Sequence, residues 1–167
     1  TCMMVTSALH AAGYRVGTNL SPHLEQVNER VLIDTQPIDD MTLTEAIGAM
    51  DRVRRDWARN LGHTQPPLTY FEFLTILAMR QFARTPVDVG VFETGMGGRL
   101  DATNVVKPVV TAITTVGMDH MDVLGDTIEK IAAEKAGIIK KGIPVILGLM
   151  PEAAREVVEA RARMLGC

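Results

Sequence analysis

Glu93 closes a β-branched run, Val87-Asp88-Val89-Gly90-Val91-Phe92, and opens the block Thr94-Gly95-Met96-Gly97-Gly98-Arg99-Leu100-Asp101-Ala102-Thr103-Asn104. An acid at the end of a buried strand is where nucleotide-binding α/β folds hold a Mg²⁺ ion. Gly95, Gly97 and Gly98 let the backbone approach a ligand closely, and Arg99 can neutralise an anion. A solvated glutamate in a glycine-rich turn fits the same residues, so the pattern leaves both readings open.

Two further places carry similar chemistry. Asp119 and His120 follow the run Val109 to Thr114, and a carboxylate or a neutral imidazole can each ligate a metal. Taken alone, an aspartate that caps a turn and a histidine in a hydrogen-bonded niche explain them more simply. Ser21, in Ser21-Pro22-His23-Leu24, offers a hydroxyl that can complete a Mg²⁺ shell, although serine before proline is also ordinary turn chemistry. Lys135 falls in the last turn of a helix, where a cation suits the helix dipole, and pattern alone gives it no other role.

These residues need elements to position them. Thr1 to Ala12 has helical periodicity, with Gly13 as its stop, and Tyr14 to Thr18 is a short strand. Val27 to Ile33 is extended or a hairpin arm, with Gln36-Pro37 as its turn. Thr42 to Asn60 is a helix opened by a Thr42–Glu45 capping box, with a stripe of Leu43, Ile47, Met50, Val53 and Trp57. Gly62 to Pro67 is a loop, and a second box, Thr69 with Glu72, opens a helix to about Arg84. Val87 to Phe92, Val109 to Thr114 and Gly142 to Leu147 are strands. Asp126 to Ala136, capped by Asp126 with Glu129, and Glu152 to Leu165 are helices. This alternation predicts an α/β fold: a doubly wound, mostly parallel sheet with helices on both faces. In such sheets ligands bind beyond the carboxyl ends of the strands, which is where Ser21, Glu93 and His120 fall.

Composition narrows the classes. With 167 residues, 47% apolar and 22% charged, the chain can build a globular core. A formal charge of −3 without a basic run argues against a nucleic-acid partner. No apolar stretch approaches the length of a membrane span, and no signal-peptide pattern is present. Cys2 and Cys167 have no metal-ligand spacing and form no disulfide framework, which fits a reducing cytoplasm. The start at Thr1, without an initiator Met, suggests a fragment boundary.

Taken together, Ser21-Pro22-His23-Leu24, Leu68-Thr69-Tyr70-Phe71-Glu72-Phe73, the block from Glu93 to Asn104, Asp119-His120 and Glu134-Lys135-Ala136-Gly137-Ile138 resemble the folylpolyglutamate and dihydrofolate synthases of the Mur ligase superfamily. The likeness spans Thr1 to Leu147; Thr94 and Met96 stand where the family has aliphatic residues. The resemblance implies an ATP-dependent ligase that joins L-glutamate to dihydropteroate or tetrahydrofolate through an acyl phosphate. It implies Ser21 and Glu93 as ligands of the nucleotide Mg²⁺ and His120 as a ligand of a second Mg²⁺. Lys135 matches a lysine that the family carboxylates, and Glu93, His120 and Lys135 together form the implied catalytic set. Thr69, Tyr70, Phe71, Glu72, Leu100, Asp101 and Ala102 match segments that contact the pterin.

The family's phosphate loop lies just before the position matching Thr1. The chain is therefore expected to be part of an ATP-binding central domain without that loop or the C-terminal domain, and to be inactive alone. The parent is expected to be a monomer acting on small molecules. Alternatives are a non-catalytic ligand-binding remnant and a ligase that builds cell-wall peptides on a nucleotide sugar, although the 69–73 and 100–104 blocks favour folate.

Overall fold

The computed structural model describes residues 1–61 and 68–167, so the loop expected from Gly62 to Pro67 lies outside the described residues. The chain divides into two compact units, Thr1–Glu93 and Thr94–Cys167.

In the first unit, helix α1 (Cys2–Ala11) leads into strand β1 (Val16–Asn19), with Gly13 at φ 91° between them. Strand β2 (Val31–Ile33) pairs antiparallel with β1, and the two-residue β3 (Gln36–Pro37) pairs antiparallel with β2. Helices α2 (Asp40–Leu61) and α3 (Tyr70–Arg84) precede β4 (Val89–Phe92), which pairs parallel with β1. The sheet order is β3-β2-β1-β4. A short α3–β4 connection into a strand parallel to β1 makes α3 run against both strands, so its N-terminus reaches their carboxyl-end edge. Phe82, near the end of α3, lies against Gly17, where an added Cβ would sit 2.6 Å from the ring. Val31, Leu43, Met50, Leu74, Leu77 and Phe82 are among the residues that form this unit's core.

In the second unit, β5 (Thr111–Ile113) and β6 (Val145–Leu147) pair in parallel. Between them lie the single-turn α4 (Met121–Leu124) and α5 (Ile128–Lys135); α6 (Glu152–Leu165) follows. Ile113, Val116, Ile131, Ala132, Ala154 and Val158 belong to its core, and α5 packs on α6.

The α/β class and the strand–helix alternation agree with the sequence, and the span of α6 is the one expected. Four local assignments change. The hairpin turns at Asp34-Thr35, with φ of 51° and 75°, while Gln36-Pro37 forms the edge strand. Helix α2 starts at Asp40, and Asp39 Oδ1 accepts the Thr42 amide at 2.6 Å. Thr127 caps α5 by accepting from the Lys130 amide, while Asp126 holds the Lys130 ammonium at 2.7 Å. In the α2 stripe Leu43 and Met50 are buried, joined by Ala46, but Ile47, Val53 and Trp57 are exposed.

Candidate functional site

At the carboxyl end of β1 the Ser21 turn meets Glu93. The Ser21 amide donates to Glu93 Oε2 at 2.9 Å, and the Glu93 amide donates to the Asn19 carbonyl at 2.9 Å. Two adjacent parallel strands thereby fix a hydroxyl-bearing turn and a carboxylate side by side. Both residues are half-buried, and the set is made of oxygens, as Mg²⁺ prefers. That chemistry fits a divalent cation held by Ser21 Oγ and Glu93.

The turn itself is held from behind. The Glu29 carboxylate accepts the backbone amides of Leu24, Glu25 and Gln26 at 2.6, 3.0 and 2.9 Å. Those amides, Leu24 foremost, hold its carboxyl below the usual glutamate range. The Arg30 carbonyl accepts from Asn19 Nδ2 at 3.0 Å and from the Leu20 amide at 3.2 Å. Arg30 Nε donates to His23 Nδ1 at 2.9 Å, and its guanidinium lies 5.4 Å from the Tyr70 ring centre. Sequence reading missed Glu29 and Arg30. The signal it passed over was an acid–base pair just after a loop that carries exposed backbone amides.

Thr69, Tyr70, Phe71 and Glu72 form the first turn of α3, at the same strand edge. The expected capping box is present: Thr69 Oγ1 accepts the Glu72 amide at 3.2 Å, while Glu72 Oε2 accepts the Thr69 amide at 2.7 Å and its hydroxyl at 2.8 Å. These bonds hold the Glu72 carboxyl below its ordinary value, the Thr69 amide contributing most. Tyr70 is exposed. A helix N-terminus bearing an exposed aromatic ring is a surface on which a flat, polar ligand can lie.

In the second unit the glycine-rich loop and the end of α5 are bolted together. The Arg99 amide donates to the Glu134 carbonyl at 2.9 Å, and Arg99 Nη2 lies 2.9 Å from Glu134 Oε1, with Nε bridging both carboxylate oxygens. Arg99 is thus paired with Glu134, where the sequence suggested a group available to an incoming anion. Asn104 Nδ2 donates to the carbonyls of Arg99 and Gly137, and Lys140 Nζ donates to the Asn104 carbonyl and Oδ1.

Asp101 is occupied by its own loop. One oxygen accepts the Gly95 and Met96 amides at 3.0 Å, and the other accepts the Thr103 amide at 2.9 Å and hydroxyl at 2.6 Å. Leu100 is exposed, and Ala102 begins the short turn Ala102–Val105.

His120 stands at φ 49° before α4, exposed, with Nε2 3.7 Å from Asp119 Oδ2. Lys135 is the last residue of α5 and half-buried; its ammonium has no hydrogen bond or ion pair among the described residues. The structure therefore joins Ser21 with Glu93, Thr69 with Glu72 and Arg99 with Glu134. Among the described residues, no three His, Cys, Asp or Glu side chains converge as a metal cluster. Nor is any described helix long and apolar enough to cross a membrane.

A parallel strand pair that ends in a Ser–Glu oxygen pair, with a helix N-terminus at the same edge, defines an α/β protein whose polar groups stand at the strand ends, the edge where such folds take ligands. A family model described as the Mur ligase middle domain matches residues 42–161, and the chain belongs to that family. It is 43% identical over 163 residues to the dihydrofolate synthase/folylpolyglutamate synthase of Bacillus subtilis (strain 168), covering 97% of this chain and 37% of that protein. It is 39% identical over 168 residues to the mitochondrial folylpolyglutamate synthase of Homo sapiens, covering 100% of this chain and 28% of that protein. A solved FPGS-AMPPCP-folate complex superposes with a TM-score of 0.94 at 40% identity, covering 99% of this chain and 40% of that one. The chain thus spans about a third of the length of the curated relatives it matches.

Proposed function

We propose that this chain is part of the central domain of an ATP-dependent ligase that joins L-glutamate to dihydropteroate, tetrahydrofolate or both. The observation that carries the reading is the 2.9 Å contact of the Ser21 amide with Glu93 at the end of the parallel β1–β4 pair. Likeness to folylpolyglutamate synthases over nearly the whole chain supports it, as does the solved relative described with both an ATP analogue and folate.

The substrate carboxylate would take the γ-phosphoryl group of ATP to give an acyl phosphate. The glutamate α-amine would then displace phosphate and form the amide. Two anions must approach one another, so the protein's work is positioning and charge neutralisation. Ser21 and Glu93 would hold the nucleotide's Mg²⁺; His120 and a carboxylated Lys135 would serve a second ion. Mg²⁺, when bound, supplies positive charge to the transferring phosphoryl group. In the first unit Thr69 to Glu72, with Tyr70 exposed, would contact the pterin; in the second, Leu100, Asp101 and Ala102 match pterin-contacting positions. Asp101 would offer backbone and loop shape, because its carboxylate oxygens already accept four hydrogen bonds within the loop. The reading carries with it a monomer working on small molecules in the cytoplasm.

The test uses the full-length protein. ADP release should require both a folate substrate and glutamate, and Glu93→Ala should abolish it. ATP turnover independent of glutamate and indifferent to Glu93→Ala would overturn the reading. A panel of dihydropteroate, tetrahydrofolate and a nucleotide-sugar acid separates it from a cell-wall ligase.

A further inference from the structure

Lys135 is flanked on both sides by anchored backbone. Before it, Glu134 is tied to Arg99 through its carbonyl and its carboxylate. After it, the Gly137 carbonyl accepts from Asn104 Nδ2 at 3.2 Å, and Asn104 is in turn gripped by Lys140 Nζ at 2.7 Å through Oδ1. Glycines on both surfaces make this contact possible. A Cβ on Gly98 would lie 2.8 Å from the Lys135 carbonyl oxygen, and one on Gly137 would lie 2.5 Å from Arg99 Cα.

The lysine side chain has no comparable support. Lys135 ends α5, so its neighbours on the helix are the residues three and four positions back, Ala132 and Ile131, whose side chains cannot accept a hydrogen bond. Its amine has no partner among the described residues. The place from which this long side chain leaves is therefore set by the backbone anchors.

We propose that Arg99 and Asn104 are positioning residues for Lys135, fixing its backbone so that the amine reaches the place where its carbamate is used. The proposal rests on the carboxylated-lysine reading given above. In that step the ammonium first gives a proton to solvent, and the freed Nζ lone pair forms an N–C bond to dissolved CO₂. One C=O electron pair moves onto oxygen, and a second nitrogen-bound proton leaves to solvent. A carbamate anion remains. A reacting group displaced by about 1 Å loses on the order of 100-fold in rate, so a clamp on the parent backbone has kinetic weight.

The experiment uses full-length protein, Arg99→Met, Arg99→Lys, Asn104→Ala and the exchanged pair Arg99→Glu/Glu134→Arg. Three quantities are read on each: thermal midpoint, kcat and KM, and the ¹³C carbamate signal after equilibration with ¹³CO₂. Loss of an orienting partner should lower kcat about 10- to 100-fold with KM for ATP little changed, and should weaken the carbamate signal per folded molecule. Arg99→Lys and the exchanged pair should recover part of both. Unchanged kcat and carbamate in Arg99→Met and Asn104→Ala overturn the proposal. So does activity that falls only in step with the folded fraction. A wild-type protein that ligates glutamate but shows no carbamate overturns both this proposal and the role given to Lys135. If wild-type carbamate persists and only the variants behave as wild type, the clamp alone is lost.

Discussion

Ser21 and Glu93, 72 positions apart in sequence, meet through a backbone amide donating to a carboxylate oxygen at 2.9 Å. The bond aligns the Glu93 side chain with the turn that carries the Ser21 hydroxyl. Replacing Glu93 by Gln preserves an acceptor for that amide and removes the negative charge. In full-length protein, Glu93→Gln should therefore fold normally yet lose on the order of 10²- to 10³-fold in the proposed ligase kcat, the scale of losing one placed electrostatic group. Wild-type turnover by Glu93→Gln, with melting unchanged, would remove Glu93 from the chemistry.

The Thr69–Glu72 box makes the start of α3 sensitive to acid. Its carboxyl sits below the ordinary value in the folded chain, so its contribution is fully present above the unfolded glutamate pKa of about 4.3 and fades as pH falls through the lower, folded value. Thr69→Ala should cost about 1 kcal/mol at neutral pH, measured by urea melts. Glu72→Gln should flatten the wild-type acid dependence below about pH 4. A parallel acid limb in both proteins would show that this carboxylate is not its source.

Glu29 gives the Ser21 turn its rear support. Glu29→Ala leaves the amides of Leu24, Glu25 and Gln26 without their acceptor. Hydrogen exchange at those three amides should accelerate while that of Leu77, in the core, stays as in wild type. Uniform acceleration across the unit would mean that Glu29 supports the fold rather than the turn.

Gly137 faces the Arg99 backbone too closely for any side chain. Gly137→Ala should destabilise by about 1–3 kcal/mol, the usual penalty of forced overpacking. Gly142, at φ 71° with open space around its missing Cβ, is the control: there the cost comes from backbone strain alone. Equal stability of Gly137→Ala and wild type would show that the loop and the helix end part easily.

Cys2 and Cys167 should differ in reactivity. Burial, reinforced by the nearby Glu93 carboxylate, pushes the Cys2 thiol up, whereas Cys167 is exposed. Alkylation at neutral pH followed by mass spectrometry should modify Cys167 first. Simultaneous labelling of both would contradict the burial of Cys2.

Sequence reading found what periodicity and strand ends encode. The Ser21 and Glu93 positions, the Thr69–Glu72 box and the span of α6 all emerged from local rules. Where two adjacent residues were both good caps, pattern chose the wrong one. Asp126 and Thr127 both suit an N-cap, and the structure uses Thr127 because Asp126 pairs with Lys130. The hairpin was misplaced because Pro37 suggested a turn, yet proline is tolerated on an edge strand. Arg99 was misread because its partner Glu134 lies 35 residues away, and no local signal announces such a pairing. The Mur ligase assignment came from motif resemblance, and neither composition nor spacing would have reached it alone.

Asp101 leaves a consequence for the energetics of binding. By gathering the amides of Gly95, Met96 and Thr103, it orders the glycine-rich loop before anything arrives. Glycines that would otherwise make this segment entropically expensive to immobilise are already confined. A molecule that came to lie on the loop would therefore meet a mould and not a melt. Its affinity would be set by fit, with little lost to disorder at the moment of association.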